Sequence, residues 1–187
     1  MSKFPCIIGL LARSRSGKDT VCDYIIANYP SIHIMKWRLA QPIKDAVCNL
    51  YGFTQADIEG RDKDVVNEKI GISPRAAMVG ITKHVMEGMG NDFFSRRLFT
   101  SYENHKSKQN NLCIIIPDVR YEHDLHEIRR RGGIIIKVER PDKDIPKYEW
   151  ENNIDSMQGD VCIMNDSTIE ELYFQIDNVM QCFVKAD

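Results

Sequence analysis

The stretch "CIIGLLARSRSGKDTVCDYII", Cys6 to Ile26, constrains the fold more than any other part of the chain. Cys6 to Leu11 is hydrophobic at every position, as a strand covered on both faces must be. Val21, Tyr24, Ile25 and Asn28 then recur at helical spacing, and Gly17 and Lys18 stand between the two patterns. Strand, glycine turn and helix in that order make a phosphate-binding loop: backbone N–H groups of the turn, backed by the helix N-terminus, converge on phosphate oxygens while a lysine adds a point charge. The match to G-x-x-x-x-G-K-[ST] fails at both ends, with Ala12 for the first glycine and Asp19 for the final hydroxyl residue. A small residue can make the first turn with a negative φ. A carboxylate at Asp19 can hold Mg²⁺ directly or through a water, because that ion takes hard oxygen ligands and keeps several waters. Arg15, Ser16, Gly17, Lys18, Asp19 and Thr20 are therefore the expected triphosphate-binding residues, with Lys18 on the β- and γ-phosphates.

Apolar runs of strand type alternate with helical patterns along the rest of the chain, the signature of a parallel sheet with helices on its faces. Further strands are predicted at Ile32 to Trp37, Leu112 to Asp118, "IIIKVER" and "VCIMN". Helices are predicted over "AQPIKDAVCNLYG", from Ser73 with Pro74 in the first turn, from about Asp92, over "EHDLHEIRRRGG" and over "TIEELYFQIDNVMQCF". Phe53 to Ile72 reads as a long loop with one helical turn, Glu103 to Asn111 as a polar surface loop, and Pro141 to Asp160 as a charged connection. The expected architecture is an α/β three-layer sandwich, a central parallel sheet of about five strands with helices on both faces. At 187 residues it is expected to be one domain, with a helical region over 53–105 and a lid over 140–160.

Composition removes several functional classes. A net charge of -2 gives no electrostatic footprint for nucleic acid. The six cysteines never form C-x-x-C and lie in apolar segments, which reads as small buried hydrophobes in a reducing compartment. His123 and His126 lack a second ligand pair at zinc spacing and read as surface histidines. The apolar run at the N-terminus is too short for a signal peptide or a membrane span, so the expected setting is the cytoplasm, without a membrane.

Four ordered segments, "RSGKDT", "LAQPIKDAV", "IIIPDVRYEHDLHEIRRRGGIIIKVERP" and "GDVCIMNDSTIEEL", together resemble the deoxynucleoside monophosphate kinases of tailed phages and large DNA viruses. That family carries G-K-D-T rather than G-K-S, which accounts for Asp19. The resemblance implies a P-loop kinase fold, ATP and Mg²⁺ as cofactors, a deoxynucleoside 5′-monophosphate of the dGMP, dTMP or dCMP type as acceptor, and a homodimer. Animal-type phosphomevalonate kinases share the same skeleton, so a small-molecule phosphate acceptor stands as an alternative. A nucleotide-binding module without turnover is a third reading, disfavoured because Lys18, Asp118, Arg120 and Arg140 occur together.

Asp118 ends a buried parallel strand, at the edge where such sheets bind ligands, and can order Mg²⁺ waters or, alternatively, cap the next helix. Arg120 can act as a planar bidentate donor to the acceptor or transferring phosphate. Arg140, at a strand end where the expected lid begins, can bring a cation to the γ-phosphate. The resemblance adds Arg38, Lys44 and Arg75 as acceptor-phosphate contacts, although Lys44 taken alone reads more readily as a surface lysine at a helix start. Arg61 and Arg96 are weaker candidates. Many relatives carry a histidine three residues before a lid glutamate; here Tyr148 precedes Glu151, and both are expected at the acceptor. Asn165 and Asp166 follow the last strand, where kinases of this type place a loop against the adenine.

Overall fold

The computed structural model describes residues 6–30, 33–60, 62–107, 112–141 and 149–184. The chain forms two compact units, one of Met1–Arg38 with Leu98–Asp187 and the other of Leu39–Arg97.

The first unit is built on a five-stranded, wholly parallel sheet in the order β2-β3-β1-β4-β5. Its strands are β1 (Ile7–Leu11), β2 (Ile34–Lys36), β3 (Cys113–Val119), β4 (Ile134–Glu139) and β5 (Val161–Met164). Every residue of β1 is buried, as its unbroken apolar run requires. Alternate side chains go to opposite faces. Ile8, Leu10, Ile115, Ile136 and Ile163 pack with Val21, Cys22 and Ile25 of α1 (Lys18–Asn28) and with Leu172, Ile176 and Met180 of α8 (Ile169–Val184). The opposite face receives α6 (Glu122–Arg130) at Gly9, where an added Cβ would stand 2.7 Å from Ile128 Cδ1 and 2.8 Å from Ile135 Cδ1. A side chain at Gly9 would push the Ile128 and Ile135 side chains out of their present positions. The sheet with helices on both faces is the expected fold.

Three expectations on local structure need correction. The helix predicted from about Asp92, α5 (Phe93–Lys106), runs through Glu103 to Lys106, which read as surface loop. Tertiary contacts override the polar sequence there: Tyr102 is buried and donates to the Leu112 carbonyl at 3.4 Å, and Trp37 meets the His105 ring edge-on at 5.1 Å. Within Pro141 to Asp160 a helix, α7 (Glu149–Ser156), forms and buries Ile154. Cys162 and Cys182 are exposed rather than buried, because β5 is an edge strand and Cys182 lies on the outer side of α8. Cys22 does behave as a core residue, and burial pushes its thiol up to about 12.

The second unit is helical: α2 (Gln41–Tyr51), α3 (Gln55–Glu59) and α4 (Pro74–Met89). Ile43, Val47, Phe53, Ile58 and Ala77 form its core. Thr54 and Asp57 cap α3 reciprocally, Ser73 Oγ accepts the Ala76 N–H at 3.1 Å, and Pro74 takes the first turn of α4. The stretch from Phe53 to Ile72 holds α3 as its one helix among the described residues.

An ionic cluster in the first unit ties α6 to α5. Glu127 accepts from Arg130 Nε and Nη2 at 3.1 and 3.0 Å and from Arg131 Nη1. Arg131 lies over the Phe99 ring at 4.2 Å and bonds Glu103 at 3.1 Å. The Arg130 hydrogen bonds, then Arg131, hold the Glu127 carboxyl down at about 2 against an ordinary 4.5. A depressed carboxyl contributes stability above its unfolded value, and the contribution disappears as pH falls towards its folded value. Urea unfolding of Glu127→Gln is expected to show a deficit against the parent protein at pH 7 that shrinks between about pH 4.5 and pH 2. A deficit that stays constant over that range would mean that packing, not charge, holds the helices here.

Candidate active site

β1 delivers the chain at Leu11 into the turn Ala12 to Gly17, and α1 begins at Lys18. Among the described non-glycine residues only Arg15 has a positive φ, 64°, so Ala12 turns as a residue with a Cβ can. Gly17, at φ 94°, occupies the left-handed region that favours glycine. An added Cβ there would also stand 2.4 Å from Asn165 Nδ2. No side chain caps α1, so its first-turn N–H donors remain open to an anion.

Lys18 is largely buried, and its Nζ lies 3.6 Å from Asp19 Oδ2. Burial pushes the ammonium down from its ordinary value; Asp19 offsets part of this, Arg120 adds to it and Asp118 opposes it. The phosphate-loop lysine thus shares one electrostatic neighbourhood with the end of β3, two strands of charge-bearing termini brought together by the β3-β1 pairing. Asp19 sits among three cations, with Arg38 Nη2 at 3.4 Å, Lys36 Nζ at 3.7 Å and Lys18. Burial would raise the Asp19 carboxyl, but Lys18, Lys36 and Arg38 outweigh it and hold the group below its usual value. Lys36 also bonds Asp23 at 2.7 Å.

The strand-end segment carrying Asp118 and Arg120 is fixed from beneath by Asp124. This carboxylate is 2% exposed and accepts the backbone N–H groups of Arg120 at 3.3 Å and Tyr121 at 3.2 Å. His123 Nε2 lies 3.4 Å from its other oxygen, and the His123 ring stacks on Tyr121. Burial drives the Asp124 carboxyl up, against the pull of His123 and the two backbone donors.

On the other side of the loop a cleft of about 360 Å³ opens between the carboxyl ends of β4 and β5 and α7. Arg13, Ser16, Glu139, Arg140, Asp155 and Met164 are among its lining residues. Arg13 is ion-paired with Asp155 of α7 across it, and Lys137 Nζ reaches the Asp155 carbonyl at 3.2 Å. Arg140 is exposed on the cleft wall.

The residues singled out from sequence therefore fall into separate groups. Lys18, Asp19, Arg38, Asp118 and Arg120 gather at the carboxyl ends of β1, β2 and β3. Ser16, Gly17 and Asn165 meet on the β5 side, where Asn165 Nδ2 donates to the Ser16 carbonyl at 2.9 Å. Thr20 lies half-buried in the first turn of α1, and Asp166 is exposed after β5. Lys44 and Arg75 belong to the helical unit, where they pair with Glu59 at 2.8 Å and Asp64 at 3.4 Å. Arg96, also of that unit, pairs with Asp92 and donates to the Met89 carbonyl. Arg61, Tyr148 and the Glu151 side chain lie outside the described residues. Lys36 and Asp124 escaped the sequence reading. Lys36 was signalled by a charge at the end of an apolar strand, and Asp124 by its place three residues after Tyr121 in a helix's first turn.

Among the described residues no cluster of three His, Cys, Asp or Glu side chains could cage a metal ion. The donors that are present, the carboxylates of Asp19 and Asp118, nonetheless fit Mg²⁺, which is normally taken by one or two carboxylates with substrate phosphates and water completing its shell.

A family model for deoxynucleotide monophosphate kinase matches residues 6–71 and 53–176. A protein of Acanthamoeba polyphaga mimivirus is 28% identical over an alignment covering 94% of this chain and 98% of its own length. The deoxynucleotide monophosphate kinase of Enterobacteria phage T4 is 27% identical, again over 94% of this chain and 98% of its own. Dephospho-CoA kinase from Campylobacter jejuni superposes with a TM-score of 0.51 at 14% identity, covering 96% of this chain and 98% of that one, and shares the fold. Because the family match spans the phosphate loop, the Asp118 to Arg120 strand end and the turn after β5 alike, the chain belongs to the deoxynucleotide monophosphate kinase family.

Proposed function

We propose that this protein transfers the γ-phosphoryl group of Mg²⁺-ATP to the 5′-phosphate of a deoxynucleoside monophosphate of the dGMP, dTMP or dCMP type, giving ADP and the deoxynucleoside diphosphate. The observation that carries the reading is the convergence of Lys18 with Asp118 and Arg120 beside an uncapped helix N-terminus, in a chain of this family.

The acceptor is a phosphomonoester whose second pKa is near ~6, so at neutral pH it is already largely dianionic and needs no strong general base. Catalysis then reduces to alignment and charge neutralisation. The N–H groups at the start of α1 and the Lys18 ammonium hold the β- and γ-phosphates. Burial favours this role, since a lysine partly stripped of water gains most from an anionic partner. Asp19 and Asp118 would hold Mg²⁺, which would supply charge neutralisation at the phosphates. Arg38 and Arg120 bind the acceptor phosphate from the β2 and β3 ends; the family resemblance alone adds Lys44, Arg75, Tyr148 and Glu151 to the acceptor contacts. Arg140 neutralises the transferring group from the β4 end, and the cleft beside Ser16 takes the adenosine, with Asp166 in the turn that follows β5. Asp124 is a positioning residue: by holding the backbone N–H groups of Arg120 and Tyr121 it sets where the Arg120 guanidinium can reach. A homodimer is the assembly the family resemblance implies.

ADP release from Mg²⁺-ATP, measured with dGMP, dTMP, dCMP, dAMP, GMP and phosphomevalonate in separate reactions, tests the proposal. Stimulation by one or more deoxynucleotides is expected; silence with every nucleotide and a response to phosphomevalonate would overturn it. Lys18→Ala is expected to lower kcat by about 10²–10³-fold while circular dichroism reports an intact fold. Asp124→Ala is expected to lower kcat roughly tenfold, and Arg120→Ala to cost much less in that background than alone, as two residues acting through one geometry do. Additive losses would detach Asp124 from Arg120.

A further inference from the structure

The amide of Asn165 faces the phosphate loop. Three contacts fix it there. Its backbone N–H donates to the Glu139 carbonyl at 2.7 Å, continuing the β4 to β5 pairing one residue past the strand. The preceding residue, Met164, is held on both backbone groups by one side chain of α8: Gln175 Oε1 accepts its N–H at 3.0 Å and Gln175 Nε2 donates to its carbonyl at 2.9 Å. From this anchored position Asn165 Nδ2 donates to the Ser16 carbonyl at 2.9 Å, across 149 residues of sequence. The same nitrogen occupies the space a Gly17 side chain would need, 2.4 Å from the ideal Cβ position.

The loop that receives this bond is one that local preferences do not favour. Arg15 and Gly17, two of three consecutive residues, have φ of 64° and 94°, and such conformations persist where surrounding contacts over-determine them. The Ser16 carbonyl is the pivot. In a trans peptide the C=O and the following N–H point in opposite directions, so a Ser16 carbonyl held towards Asn165 aims the Gly17 N–H away from β5. A flipped peptide would instead present a carbonyl oxygen where the loop's donors converge.

We infer that Asn165 is a positioning residue of the phosphate loop, which locks the Ser16–Gly17 peptide so that the Gly17 N–H serves as a phosphate donor, and that it does not read the base. This rests on the phosphate-loop reading above. Asn165 turns its amide nitrogen to the loop backbone, Gln175 keeps it in place, and a side chain at position 17 would displace that amide as well as strain φ.

Inorganic tripolyphosphate, which has no base or sugar, separates the two roles. Its affinity and those of ATP and GTP are measured calorimetrically, with Mg²⁺, for the parent protein, Asn165→Ala and Asn165→Leu. The leucine variant keeps the shape of the side chain, removes the donor and adds no charge, so it carries the test if the alanine variant does not fold. The expected result is a loss of about tenfold for tripolyphosphate and for ATP alike, the scale of one hydrogen bond to a charged-ligand site, with the ATP to GTP ratio unchanged. A loss confined to ATP, a shift in the ATP to GTP ratio, or unchanged affinities throughout would overturn the inference. The parent protein distinguishes this failure from a deeper one: if it binds neither tripolyphosphate nor ATP, the phosphate-loop reading itself fails.

Discussion

With β1 covered by α1 and α8 on one face and by α6 on the other, its side chains have no access to solvent, and polar groups can gather only beyond its carboxyl end. Parallel pairing to β3 and β4 brings the ends of those strands to the same edge. The site is thus a by-product of how the core is buried. Asp118 and Arg120 come near Lys18 because β3 is a neighbour of β1, Arg140 shares a cleft with Ser16 because β4 is the other neighbour, and Lys36 and Arg38 come near Asp19 because β2 lies next to β3.

The edge is also held by polar groups, one buried and one half-buried. Asp124 fixes the segment after β3 and Asn165 fixes the turn after β1, each through backbone atoms of the residues that face the ligand. Both act on main chain, and so on the points from which the Arg120 and Lys18 side chains spring rather than on those side chains themselves. Buried donors and acceptors suit this purpose because leaving one unpaired is costly, which resists slippage of the turn.

Much of this was legible in the sequence, for physical reasons that differ by element. β1 and β3 declare themselves because a strand buried on both faces is apolar along most of its length, and the one charged residue of β3, Asp118, stands one position before the strand's end at Val119. The Gly-Lys turn declares itself through its setting. The last turn of α5 was hidden because its polar residues are held by partners far away in sequence, Glu103 by Arg131 and His105 by Trp37. α7 was hidden because the burial of Ile154 follows from tertiary packing that a charged local sequence does not announce. Lys36 and Asp124 were missed for a similar reason: each carries a charge whose importance lies in what stands across from it. Asn165 was noticed, but position after the last strand suggests a ligand contact, whereas its hydrogen bond goes to the loop.

The ring of cations around Asp19 has a consequence for how a ligand arrives. Lys18, Lys36, Arg38 and Arg120 are accompanied by Asp19, Asp23 and Asp118, so the resting site is nearly self-quenched, in a chain whose overall charge is also small. Such a site casts little field beyond a Debye length and steers no polyanion from afar. Under the proposed function its selectivity is exercised at contact, where phosphate oxygens compete with Asp19 for Lys18, Lys36 and Arg38, and a ligand that matches several of those cations at once makes the exchange favourable.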